Sequence, residues 1–588
     1  MHKLKPLLRY FLPYRRRIAL GILCIALTAT GSMLGPQVIG RGIDSLRIAP
    51  SATTLFLYAG ILLLVTAVQG VFLYAQRMLL VTMSRDIEQD LRDDYFASLS
   101  RLHAGFFHDH PTGDLMARAT NDIGAVRMLA GPAIMYAANT VFTSAGALFF
   151  MLHLHWGLTL VAISTLPLVA LTTKIFGRRI HDLFELVQGQ YSVVSTKVQE
   201  NLAGVRVVRA YVQEEAEQRS FDRLNADYVE KNRRLIRWQA SFQPVMQLLV
   251  GIGFAAVLGY GGRLILLGEL SVGQYVTFQL FLGRLVWPMI AIGWVINLSQ
   301  RAAASMGRLQ AIFDAVPAIA DPPAAERLDP ARLDGRLDFR HLTFQYPGAP
   351  RPTLFDIDLE VPAGRTLAIV GRTGSGKSTL LSLVPRLFDP PPGTLEVDGA
   401  DVRRLPLATL RQAIAMVPQE TFLFSATLRD NIAFGKADAS DEEVWRAVRL
   451  ACLEPDLEQL PDGLETMVGE RGITLSGGQK QRVALARALV RDCRILLLDD
   501  CLSAVDANTE ELILRNLRQL FIDDGFGGGR TVLMASHRIA AARLCDSAVV
   551  LEAGRVAERG THDQLVARGG LYAELQKRQS LEEELAEV

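Results

Sequence analysis

Long uncharged runs dominate the first half of the chain and give way to short alternating elements in the second. Between Gly131 and Thr173 lie 43 residues without an Asp, Glu, Lys or Arg. As a helix that stretch would reach roughly 64 Å, twice a ~30 Å hydrocarbon layer, so the pattern predicts two membrane spans joined by a turn at His153 to Trp156. Ile18 to Gly40, Ile48 to Gln76 and Trp238 to Gly262 are each long enough for one span, and Leu270 to Gln300 is interrupted only by Arg284. The expected spans are 18–40, 55–76, 131–152, 157–175, 240–262 and 271–300, in a transmembrane domain covering 1–317. Six crossings would put both termini on the same side of the bilayer.

Beyond these spans the pattern changes. The connections Arg77 to Ala130 and Lys174 to Arg237 are charged, with residues such as Arg85, Asp86, Glu88, Asp90, Arg92, Asp93 and Asp94 at helical intervals. Helices that continue well past the bilayer are therefore expected. A Pro-rich stretch (Asp321-Pro322-Pro323) marks a linker at 318–334. From 335 to 588, short apolar strands (Thr366 to Val370, Ile495 to Leu498, Thr531 to Ala535, Ser547 to Leu551) alternate with helical segments, an α/β signature.

Composition and charge refine this picture. Apolar residues make up 50% of the 588 and charged residues 21%, and the mean hydropathy is +0.21. Net charge is +1, so no basic excess points to nucleic acid. Lys3, Lys5, Arg9, Arg15, Arg16 and Arg17 precede the first span, whereas the opposite-side loops carry only Arg41, Arg47 and Arg263. Basic flanks stay inside, which predicts cytoplasmic termini and a multi-pass protein of the cell's inner (plasma) membrane. No small-residue cleavage site follows the first apolar run, so it is read as a retained anchor and not a signal. Five cysteines show no paired spacing, so neither a disulfide framework nor a zinc site is expected.

Gly371-Arg372-Thr373-Gly374-Ser375-Gly376-Lys377-Ser378, followed by Thr379, matches the phosphate-loop pattern and sits between a strand and a helix. Glycines allow turns that aim successive N–H groups at phosphate oxygens at a positive helix end. Lys377 would reach the β and γ phosphates, and the Ser378 hydroxyl would bind Mg²⁺. Downstream, four apolar residues end in Asp499-Asp500. That describes a buried strand delivering Asp499 toward Mg²⁺, with Asp500 placed to orient the attacking water.

Leu475-Ser476-Gly477-Gly478-Gln479 precedes a basic helix about 100 residues after the phosphate loop. With these motifs in this order the chain resembles an ABC transporter, specifically an exporter-type half-transporter. The resemblance implies an α-helical membrane domain with six transmembrane helices extending into the cytoplasm, followed by an α/β P-loop ABC ATPase domain. It also implies ATP and Mg²⁺ as ligands, ATP hydrolysis coupled to export of amphipathic molecules (drug-like, lipid-like or peptide), and residue roles to match. Tyr346 would stack on adenine, Gln419 would contact Mg²⁺ and the attacking water, and His537 would sense the γ-phosphate. Glu470 falls where exporters carry a motion-relaying loop, and Ser503 to Asp506 where the family has its D-loop. His110 to Asp122 and Glu200 to Arg209 resemble the two cytoplasmic coupling segments. The signature residues Leu475 to Gln479 would complete the ATP site of a second half-transporter.

One position departs from the pattern. Most relatives carry Glu where this chain has Asp500, one methylene shorter. The resemblance then extends to the degenerate-site half of bacterial heterodimeric multidrug exporters, with a different partner chain carrying Glu at the catalytic position and with this chain's own site slow. A homodimeric exporter or a lipid flippase is the alternative; an ATP-gated channel, a regulatory subunit or an importer stands further off. Arg284, about 18 Å into the last span, is the intramembrane charge and is expected on the substrate path. Gln37, Gln69, Asn139, Gln247, Gln279 and Asn297 are candidates to line a cavity, and Trp287, Trp294, Phe278 and Phe281 to give it aromatic surface.

Overall fold

The computed structural model describes residues 2–48, 50–321, 332–469, 475–523 and 529–586. They divide into two compact units: Met1–Ser100 with Thr112–Ala315, and Arg101–Pro111 with Val316–Val588.

In the first unit, six helices among the described residues are long and apolar enough to cross a membrane: α1 (Arg15–Ile48), α2 (Ala52–Arg101), α3 (Thr112–Leu154), α4 (Trp156–Ala203), α5 (Glu214–Leu266) and α6 (Val272–Phe313). α6 packs on α1 and α3, while α4 pairs with α5. The apolar stretch of α2 is unburied, with Leu55, Phe56, Leu57, Leu63, Leu64 and Val71 all exposed. Such a face is untenable in water but is what a helix presents to lipid.

The turn expected over four residues contracts to one: His155 alone is extended, and its Nδ1 accepts from the Leu158 N–H at 3.0 Å to cap α4. α6 begins with a reciprocal cap in which Ser271 and Gln274 satisfy each other's backbone N–H groups. Within α3 the backbone widens into π turns at Arg118–Asp122 and Leu129–Ala133, the second containing Pro132, whose missing N–H makes a regular turn impossible there. An acidic row on α2 meets the N-terminal segment: Asp86, Asp90 and Asp94 accept from Arg17, Tyr14 and Tyr10 at 2.5, 3.0 and 2.6 Å.

The connections between α2 and α3 and between α4 and α5 differ from expectation in one place. The short helix between α2 and α3 is Ala104–Asp109, ahead of the expected His110 to Asp122, because Pro111 holds His110 in extended backbone and residues from Thr112 onward already belong to α3. The other connection carries a short helix, Val205–Ala210, inside the expected segment. Around it Leu202, Val207, Tyr211 and Val212 are exposed.

Among the described residues the second unit holds two sheets. β1 (Leu337–Phe344), β2 (Leu354–Val361), β4 (Leu395–Val397) and β5 (Ala400–Asp401) form an antiparallel sheet in the order β2-β1-β4-β5. The other sheet has the order β10-β9-β3-β8-β7-β6, built from β3 (Thr366–Val370), β6 (Ile414–Val417), β7 (Ile495–Asp499), β8 (Thr531–Ser536), β9 (Ser547–Glu552) and β10 (Arg555–Gly560). β3, β7 and β8 are buried along their whole length and pair in parallel, with Val370 opposite Ser536 and Asp499 opposite Ala535. Continuous apolar runs suit strands covered on both faces. The carboxyl ends of these strands lie together, which is where an open α/β sheet places its ligand.

Candidate nucleotide site and membrane cavity

The phosphate loop leaves β3 and enters α7 (Lys377–Leu383). Gly374 and Gly376 have φ of +81° and +103°, backbone that an L side chain rarely adopts. Gly371 is required for a different reason: a Cβ there would lie 2.3 Å from the Leu551 carbonyl oxygen. Ser375 is buried with its Oγ lacking a partner, an orphan polar atom inside the loop. Lys377 Nζ donates to the carbonyls of Gly371 (2.8 Å) and Arg372 (3.0 Å), and burial depresses its pKa below the usual lysine value.

Ser378 Oγ donates to Asp499 Oδ1 at 2.9 Å. Asp499 is buried at the end of β7, and burial raises its pKa against the opposing effects of Ser378 and Lys377. Asp500 follows with a left-handed backbone (φ +47°), its N–H held by the Ala535 carbonyl at 2.9 Å and its Oδ1 2.8 Å from His537 Nδ1. Gln419, exposed just after β6, faces the same space. Together Thr373, Gly374, Gly376, Lys377, Ser378, Thr379, Gln419, Asp499, Asp500 and His537 surround a cavity of about 180 Å³. Thr353, ahead of β2, also lines it, and no motif in the sequence singles that residue out.

Other expected residues stand apart. Tyr346 is half-buried beside the loop helix: its hydroxyl bonds Thr379 Oγ1 at 3.1 Å, and Phe388 meets its ring edge-on at 4.9 Å. Arg372 is exposed. Ser476 caps α8 (Gly477–Leu489) in a reciprocal pair with Gln479, and Ser476 and Gly477 face solvent. Neither they nor Gly478 and Gln479 line the cavity; Leu475 is buried in the core. α8 is tied to the D-loop, since Gln481 bonds Ser503 Oγ and the Ala504 N–H at 2.9 and 2.8 Å. Glu470 lies outside the described residues.

A second cavity, of about 330 Å³, lies among α1, α2, α3 and α6. Arg284 lines it, as do Gln69, Asn139 and Trp287, and so do Gln76 and Arg77, which sequence reading treated as the end of a span and the start of its charged flank. Gln279 instead bonds the Tyr275 hydroxyl. Phe278 and Phe281 do not supply cavity surface: both are fully buried in helix packing, where Phe281 stacks on Phe150.

Residues 18–289 match the family described as "ABC transporter transmembrane region", and residues 354–503 that described as "ABC transporter". The chain is 38% identical over 585 residues to the probable multidrug resistance ABC transporter ATP-binding/permease protein YheI of Bacillus subtilis, covering 98% of each. It is 35% identical to the multidrug resistance-like ATP-binding protein MdlA of Escherichia coli (97% of this chain, 96% of that protein). An ATP-dependent lipid A-core flippase of Syntrophus aciditrophicus is 32% identical (99% and 95%). Among solved structures, that of a bacterial Atm1-family ABC exporter with ATP bound superposes with a TM-score of 0.77 at 28% identity, covering 96% of this chain and 98% of the other. Likeness at this level over the whole length, on a fold of six membrane helices followed by a nucleotide-binding α/β domain, makes this chain a member of the ABC transporter family: a multi-pass membrane protein of the exporter type that couples ATP hydrolysis to transport.

Proposed function

We propose that this chain is one half of an exporter dimer in which its own ATP site turns over slowly while its signature segment completes a faster site on a different partner chain. The observation that carries the dimer is the separation just described: Ser476 and Gly477 face solvent and the signature lines none of the phosphate-loop cavity, so a second nucleotide domain must meet it. A helix N-terminus capped by Ser476 is suited to a γ-phosphate brought by that partner. The exposed apolar residues around Val205–Ala210 offer a docking surface of the kind a partner would cover.

Asymmetry is argued from Asp500. Its carboxylate, short by one methylene, is already engaged by His537 at 2.8 Å, and a displacement of about an ångström from the attacking water can cost about 100-fold in rate. Ser378, Gln419 and Asp499 form an all-oxygen donor set that fits Mg²⁺, with Ser378 Oγ and Asp499 Oδ1 already within hydrogen-bond distance of each other, and these residues would hold it. Bound there, Mg²⁺ would supply charge neutralisation at the β and γ phosphates. On this chain Lys377 releases the Gly371 and Arg372 carbonyls to pair with phosphate, Tyr346 flanks the adenine, and His537 holds Asp500 in place. The basic N-terminal flank supports cytoplasmic termini in a bacterial inner membrane.

ATPase measurement on the purified chain in lipid tests the reading. Slow turnover is expected for the chain alone, and Asp500→Glu should raise it tenfold or more once a second half is supplied. Vigorous turnover of the unmodified chain alone would instead establish a working homodimer. Transport of a labelled amphiphile into inside-out vesicles, present with ATP and absent without, checks the direction.

A further inference from the structure

The membrane cavity carries two unmet chemical demands. Among the described residues its lining contains two guanidinium groups, Arg77 and Arg284, and no carboxylate. Among the described residues neither arginine forms an ion pair. Arg284 is partly buried among the helices, where a cation without a counter-ion is costly and is retained where something else supplies the negative charge, while Arg77, which is exposed, adds a second cation to the lining. Independently, Gln76 is only 4% exposed and its Oε1 has no hydrogen-bond partner. A buried acceptor left unmade costs its full desolvation, which a ligand donor would recover. Around these groups lie the amides of Gln69 and Asn139 and the rings of Tyr136 and Trp287.

We propose that this cavity selects an acidic amphiphile. A phosphate, sulfonate or carboxylate head pairs with Arg284 and Arg77, a hydroxyl or N–H next to it donates to Gln76 Oε1, and the apolar body lies on Trp287 and Tyr136. With no carboxylate in the lining, a cationic amphiphile of equal size finds only like charge. This assignment rests on the exporter reading above, and it adds a sign of charge to the substrate and two residues, Arg77 and Gln76, to its site.

Equilibrium binding without nucleotide separates the two ideas. The full chain in phosphatidylcholine nanodiscs is titrated with dodecyl phosphate and with dodecyltrimethylammonium, and the saturable component is compared. Dodecyl phosphate should bind at least tenfold more tightly. Arg284→Gln and Arg77→Gln should each weaken it about tenfold, the worth of one charge-assisted contact, while Arg284→Lys keeps most of the affinity. ATP binding measured on every variant, and expected unchanged, verifies folding. Repeating the titration with a third of the lipid as phosphatidylglycerol distinguishes the source of the head group. Lost dodecyl phosphate binding identifies membrane lipid as the occupant, retained binding a free amphiphile, and both keep the acidic head. Equal or tighter binding of the cation, or unaltered dodecyl phosphate affinity in both Arg→Gln variants, overturns the proposal. A chain that binds as expected yet moves nothing with ATP would instead count against the exporter reading alone.

Discussion

Lys377 is the phosphate-loop residue whose charged state burial disfavours. Without nucleotide the ammonium is half-buried on two carbonyls, and burial lowers its pKa from 10.5. Phosphate oxygens favour the charged form and push the value back up. In the interval between the depressed value and the restored one, ATP binding must take up a proton, so affinity falls as pH rises through that interval. Calorimetry at alkaline pH in two buffers of different ionisation heat should register that uptake, and its absence would mean that Lys377 stays charged throughout. Asp500 illustrates a different residue-scale trade. Asp tolerates left-handed backbone better than Glu, so the φ of +47° sits more easily with the shorter acid even as its reach suffers. The loop Gly371 to Ser378 was legible in the sequence because its glycines, Lys377 and Ser378 fall at the spacing of a phosphate loop. Thr353 was not, since it reaches the cavity from a different sheet.

At the level of elements, hydrophobic period and charge gaps located all six membrane helices and the four parallel strands named from the sequence, to within a residue at the strand ends. The antiparallel sheet escaped notice because β1 is interrupted by register shifts at Leu342, which break its alternation, and β4 and β5 are very short. Arg77 escaped because it directly follows an uncharged run, where charge counting places an arginine in the aqueous flank, yet it lines the cavity while remaining exposed. α3 and α6 are joined by one polar cluster: buried Asp122 accepts from Ser305 Oγ and Arg308 Nε, both at 2.8 Å, beside the π turn that ends at Asp122. Arg308 is half-exposed, so its loss is partly screened. Arg308→Ala should still destabilise by about 1–2 kcal/mol, because it strands a buried carboxylate. A lowered unfolding temperature in detergent, restored in part by Asp122→Asn in the same chain, would verify this; no shift would show the cluster to be idle.

For the molecule as a whole, this chain covers 98% of a relative such as YheI, and the placement of the signature segment away from the phosphate-loop cavity accords with a catalytic unit of two half-transporters. Gly478 lies where the signature helix meets the Ser503–Asp506 segment. A Cβ on it would stand 2.7 Å from the Ala504 carbonyl oxygen, in a D-loop already pinned by Gln481. Gly478→Ala should therefore leave ATP affinity at this chain's own loop unchanged and cut hydrolysis in the assembled dimer at least tenfold. Equal losses of binding and hydrolysis would contradict the division of labour.

That same division has a genetic reading. Suppose two inactive alleles are expressed together, one carrying Lys377→Ala and the other Gly478→Ala. If the chain pairs with itself, mixed dimers collect both lesions in one composite site and leave the other whole, so the alleles complement, to roughly a quarter of normal activity for independent sites. If it pairs with a different chain, no assembly contains both alleles, and mixing them rescues nothing.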